Sequence, residues 1–153
     1  MLFRSRKALA ALLSEEPAAI TIAVLGDAAQ RKAAAQLAVY TAWINGFKLP
    51  ERKKSNKINN LKSIVLFGHS AADGFAAQRA QAEGNVLCRE LTVLPPNELT
   101  PGAYRARVKA LARQHGWKHE EFDFNRLRKM GAGAFCAVAQ GSDERDAAIV
   151  HVQ

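Results

Sequence analysis

The amino-acid sequence predicts an α/β fold, and three observations carry that prediction. Short apolar runs of strand length, rich in Ile and Val, recur at 20–25, 63–67 and 147–152. Ala-rich stretches with apolar residues at helical spacing lie between them. Gly, Asn, Asp or Pro stands at nearly every junction, where elements start and stop. Strands alternating with helices are the pattern of a sheet covered by helices.

The elements follow in order. Ser5 to Ser14 reads as a helix with Leu9, Leu12 and Leu13 on one face. Ile20 to Leu25 is a nearly all-apolar strand, which suits a position buried on both faces of a sheet, and Gly26-Asp27 ends it. Ala28 to Ile44 is a helix with Ala33, Leu37, Tyr40 and Ile44 at helical spacing, stopped by Asn45-Gly46. Residues 48–60 are polar and basic, contain Pro50, and read as a long loop. Ser63 to Phe67 repeats the strand pattern and Gly68 closes it. Asp73 is placed to cap a helix from Gly74 to Leu94, which Pro95-Pro96 terminates. Thr100 followed by Pro101 starts the next helix, which runs to His115 and closes at Gly116. Trp117 to Phe122 reads as a short strand, and Asp123 caps a short helix from Phe124 to Met130. Ala134 to Val138 and Ala147 to Val152 read as two further apolar strands. An uncovered strand as apolar as the last of these favours association.

Composition narrows the class. The 153 residues are 48% hydrophobic and 24% charged, as in an ordered globular protein rather than a disordered one. No apolar run approaches the roughly 18–20 residues of a membrane helix. Two cysteines, Cys88 and Cys136, make no disulfide framework. The basic start from Met1 to Lys7 precedes an apolar stretch that is short and lacks a cleavage signal, so it reads as a surface helix. A cytoplasmic protein with no membrane partner is expected.

The net charge of +8 is concentrated at the front. Residues 1–60 hold ten Lys/Arg against four Asp/Glu, and residues 61–153 hold twelve against ten. The densest cluster is Glu51 to Lys57, whose Lys53, Lys54 and Lys57 could contact phosphates electrostatically. No aromatic residue is interleaved and no nucleic-acid motif surrounds the run. A solvated loop is the preferred reading, with a nucleic-acid contact through these three lysines as the alternative.

The remaining constellations assign no chemistry. His115 and His119 are four apart, but Gly116 interrupts the helix that would align them, and there is no His-Glu-x-x-His. Cys88 and Cys136 sit among apolar neighbours and read as buried, inert thiols. Gly131-Ala-Gly133 lies between a helix and an apolar run, the reverse of a phosphate-binding loop. Glu120, Glu121 and Asp123, and Asp143, Glu144 and Asp146, lie at turns or strand edges among basic residues. A two-metal centre needs several convergent carboxylates. No residue is therefore assigned a catalytic or metal-ligating role.

Two separated blocks carry a resemblance. Residues 83–101 include Arg89-Glu90-Leu91 and Leu94-Pro95-Pro96-Asn97-Glu98-Leu99-Thr100-Pro101. They resemble the Arg-Asp-Leu-x-Asn-x-Pro-Pro-Asn-x-x-x-Pro hallmark of the leucyl (cytosol) aminopeptidase family, with Glu90 for its Asp and Val93 for its Asn. Met130-Gly131-x-Gly133-Ala134-Phe135-x-Ala137-Val138-x-Gln140-Gly141-Ser142 resembles the same family's next block. Tyr40 and the stretch near Phe47-Lys48 resemble a third. The resemblance covers residues 30 to 153.

It implies a domain plan: a partial N-terminal α/β domain over 1–70, a connecting helix over 71–95, and the start of the catalytic domain over 96–153. It also implies a chain cut at both ends, because the family's metal-binding Lys, Asp and Glu follow the last strand here. The intact enzyme would use two divalent metal ions, manganese or zinc, to release N-terminal amino acids from peptides, and would assemble as a homohexamer. This chain alone is expected to bind no catalytic metal and to be inactive. A basic nucleic-acid-binding or structural module without catalysis is the alternative function.

Overall fold

In the computed structural model the described residues are 2–49, 61–142 and 144–153, with side chains from Lys7 onward. They mix helices and two small sheets in an α/β arrangement and divide into two compact units, Met1–Val93 and Leu94–Gln153.

The first unit runs α1 (Leu2–Leu13), β1 (Ala19–Ala23), α2 (Ala28–Gly46), β2 (Ser63–Phe67) and α3 (Ala76–Val93). β1 and β2 pair in parallel with Ala19 opposite Ser63 and Ala23 opposite Phe67. A parallel pair needs a crossover, and the helix α2 lies on it. Asp27 starts α2 with a reciprocal cap: its Oδ1 accepts the Gln30 N–H at 2.8 Å, while Gln30 Oε1 accepts the Asp27 N–H at 3.1 Å. Two donors at the helix start are thereby satisfied. α1 and α3 both pack on α2. The core joins Leu9, Ile20 and Ala42, with Ile22, Leu61 and Ile64 against them.

Strand periodicity then sets which sheet face is dry. Ile20, Ile22, Ile64 and Leu66 point toward the helices, whereas Val65 and Phe67 remain 42% and 59% exposed. The two-sided burial expected for Ile20–Leu25 is not what the described residues form. β1 stops at Ala23, and Leu25 is 86% exposed. An all-apolar run reports that a strand can be buried on both faces, whereas burial itself depends on what packs there.

Asp73 differs from expectation as well. Its Oδ1 accepts the Phe75 N–H at 3.1 Å within a turn, and α3 begins only at Ala76. Gly74 and Phe75 both adopt left-handed backbone, with φ +58° and +61°, which turns the chain before the helix can start.

The second unit runs α4 (Pro101–His115), β3 (His119–Asp123), α5 (Phe124–Lys129), α6 (Gly133–Ala139) and β4 (Ala148–Val152). β3 and β4 pair antiparallel, His119 opposite Val152 and Asp123 opposite Ala148. The main chains of Lys118 and Gln153 continue the ladder with bonds of 2.8 and 3.0 Å. Buried Phe124 and Leu127 anchor α5.

Residues 134–138 form a helix and not the expected strand. A five-residue apolar run has no decisive period, and this one is Ala-rich, which favours helix. Gly131, at φ +79°, closes α5 and lets α6 begin two residues later. Val138 faces outward, 85% exposed.

The caps of α4 and α5 match the sequence reading. Thr100 Oγ1 accepts the Ala103 N–H at 3.2 Å, Pro101 occupies the first turn, and Gly116 closes α4 in the left-handed region. Asp123 Oδ1 accepts the Arg126 N–H at 2.8 Å. Thr100→Ala is expected to lower the stability of the second unit by about 1 kcal/mol, because it frees one helix-start donor. Urea unfolding followed by Trp117 fluorescence in a Trp43→Phe background measures it, and an unchanged midpoint would contradict the capping role.

Candidate functional site

The first unit contains a hollow of about 430 Å³ between α2, the start of β2 and the start of α3. Its floor is aliphatic, from Val39, Ala42, Leu61, Ile64 and Leu66, and its aromatic walls are Trp43, Phe47 and Phe75. The left-handed turn at Gly74-Phe75 directs the Phe75 ring to this wall, where its centroid lies 6.2 Å from that of His69, edge to face. Two cations also line the hollow. The Arg79 guanidinium lies over the Trp43 ring, 5.0 Å from its centroid, and Lys62 stands at the start of β2. Trp43, Phe47 and Arg79 also border a smaller hollow of about 230 Å³, which reaches Glu83 and Val86 along α3.

Arg89, within the first family-like block, reaches the same end of α2 from further along α3. Its Nη1 donates to the Ile44 carbonyl oxygen at 2.8 Å. Carbonyls in the last turn of a helix lack a partner inside the helix, so this bond ties α3 to the end of α2.

In the second unit a polar cluster joins α4 to both strands. The Arg105 guanidinium donates to the Asp146 carbonyl oxygen and pairs with the Glu121 carboxylate. The Asp146 carboxylate accepts the Gly102 N–H at 2.7 Å, where the positive end of the α4 dipole favours an anion. A Cβ on Gly102 would meet Asp146 Oδ2 at 2.9 Å, so a side chain there would displace the carboxylate. Arg126 bridges outward to Glu120 at 2.8 Å and stacks on Phe122. These bonds position a helix against an antiparallel strand pair.

The residues singled out from the sequence fall into three groups. His115 stacks on Trp117 with ring centroids 4.8 Å apart, while His119 lies in β3, so the two do not converge. Cys88 is exposed and Cys136 partly so, unlike the buried thiols expected. Lys53, Lys54 and Lys57 lie outside the described residues. Among the described residues no group of three or more His, Cys, Asp or Glu could hold a metal ion. No helix among them is long and apolar enough to cross a membrane. Sequence reasoning missed both the Arg79–Trp43 pair and the Arg105 cluster, since each joins residues far apart along the chain.

Comparison with known proteins places these elements in a family. Residues 86–153 match the model of the cytosol aminopeptidase family, catalytic domain. A cytosol aminopeptidase of Pseudomonas aeruginosa is 37% identical over 137 residues, which is 84% of this chain and 27% of that protein. Probable cytosol aminopeptidases of Afipia carboxidovorans and Azotobacter vinelandii are 38% identical over 123 residues and 41% over 108. The first match covers 76% of this chain and 24% of the relative, the second 65% and 22%. The chain thus spans about a quarter of the length of these curated relatives. Among solved structures, the bottromycin maturation enzyme BotP in complex with Mn superposes with a TM-score of 0.78 at 22% identity. The match covers 99% of this chain and 33% of that one, so the fold is shared. The block around Arg89 and the double proline, the block from Met130 to Ser142, and these matches agree: residues 86–153 belong to the catalytic domain of the cytosol aminopeptidase family, and the chain is similar to that family's members over most of its length.

Proposed function

We propose that this chain forms part of a metal-dependent aminopeptidase that releases N-terminal amino acids from peptides in the cytoplasm and works as a homohexamer. The observation that carries this reading is the match of residues 86–153 to the family's catalytic domain. The manganese in the BotP complex supports manganese as the metal. In the plan that goes with it, residues 1–70 belong to an N-terminal domain, 71–95 to a connecting helix and 96–153 to the start of the catalytic domain.

The described residues do not themselves fit a metal pair, because no three potential ligands converge among them. Their contribution is architectural: polar bonds brace α4 against β3 and the segment that precedes β4. No step of the reaction is assigned to them.

Leu-p-nitroanilide with manganese tests both halves of the reading. The 153 residues alone are expected to release nitroaniline no faster than buffer. The full product of the reading frame that contains them is expected to show turnover that a chelator abolishes. Chelator-sensitive turnover by the 153 residues would overturn the inactivity. A metal-loaded full product inert toward every aminoacyl-p-nitroanilide would overturn the aminopeptidase reading.

A further inference from the structure

The family model matches residues 86–153 and leaves the hollow of the first unit without a role. Its volume of about 430 Å³ lies within the roughly 300–1,000 Å³ range of small-molecule sites. Such sites combine apolar walls with a few polar groups that fix orientation. Here the walls are aliphatic and aromatic, and the charged lining is of one sign. Among the described residues no carboxylate pairs with Arg79 or Lys62. Arg79 rests on the Trp43 face, so its position is defined while its N–H donors remain available to an anion. Glu83, one turn along α3, borders only the smaller hollow. Phe75 reaches the wall through a left-handed backbone, a conformation that costs a non-glycine residue energy and clusters at binding sites.

We propose that this hollow binds a small carboxylic acid with an apolar or aromatic body. The body lies against Trp43, Phe75 and Leu66, and the carboxylate meets Arg79 and Lys62. A neutral apolar molecule would leave both cations unanswered, and a bare inorganic anion would leave the apolar walls wet.

The test uses 4-phenylbutyrate and its neutral analogue 4-phenylbutan-1-ol on the 153-residue chain carrying Trp117→Phe, so that Trp43 alone reports. Saturable fluorescence change with the acid is expected, with affinity about tenfold above that of the alcohol, as for a hydrogen bond to a charged group. Arg79→Gln is expected to erase that preference, bringing the acid's affinity down to the alcohol's. Lys62→Gln, at an exposed position, is expected to narrow it and keeps the test decisive if the Arg79 variant does not fold. Equal binding of acid and alcohol, no saturable change with either, or a preference intact in the variant that folds would overturn the proposal.

Discussion

Gly68→Ala is expected to lower the stability of the first unit by about 3 kcal/mol or more. Gly68 follows β2 at φ +91°, backbone that L side chains rarely adopt. It also lies against the end of β1, where the Val24 N–H donates to the Phe67 carbonyl at 3.0 Å. A Cβ there would stand 2.2 Å from the Val24 carbonyl oxygen. That neighbour is backbone in the parallel ladder and cannot swing aside as a side chain could. Relief requires the two strands to part. Gly74→Ala separates the two causes, because Gly74 has φ +58° with nothing within 4 Å of an added Cβ. It carries the conformational cost alone, about 1 kcal/mol. Urea unfolding read by Trp43 in the Trp117→Phe background gives both values. Equal midpoints for the two variants would show that the close approach to Val24 is unimportant.

The parts of the fold visible in the sequence are those whose cause lies within three or four residues. Thr100 with Pro101, Gly116 and Asp123 each act on a neighbouring backbone group, and each cap stands where its residue type placed it. The run at 134–138 failed as a strand because five apolar residues, three of them Ala or Cys, fit a helix turn equally well. Asp73 failed as a helix cap because Gly74 and Phe75 turn the chain through left-handed backbone, which a residue like Phe75 rarely adopts and does not announce. Exposure of Cys88 has the same origin: helix composition does not say which side another helix will cover.

The candidate sites were illegible for a related reason. Trp43 and Arg79 meet only because α3 packs on α2, and no local pattern marks a cation that will rest on a ring presented by another helix. Arg89 stood out through its family-like block, yet its bond to the Ile44 carbonyl is a property of the assembled helix pair. Sequence motifs located the family and local chemistry located the caps, while the charged contacts needed three-dimensional proximity.

Arg105→Ala is expected to cost the second unit about 2–3 kcal/mol, more than a surface ion pair would. The Arg105 and Glu121 side chains are only 26% and 25% exposed, so solvent screens their pairing incompletely. Removing the guanidinium leaves a half-buried carboxylate on β3 without its partner. It also removes the donor to the Asp146 carbonyl, which precedes β4. One substitution therefore loosens α4 from β3 and from the segment that leads into β4, leaving Gly102–Asp146 as the adjacent polar tie. Arg105→Lys keeps the charge but cannot donate from two planar nitrogens at once, so about half of the loss is expected. A double-mutant cycle with Glu121→Gln apportions the remainder, with a coupling of about 1–2 kcal/mol expected between the two side chains. Urea unfolding read by Trp117 in the Trp43→Phe background supplies each corner of the cycle. Additive losses would mean that Arg105 acts through the Asp146 carbonyl alone, and a loss below about 0.5 kcal/mol for Arg105→Ala would reduce the cluster to an ordinary surface contact.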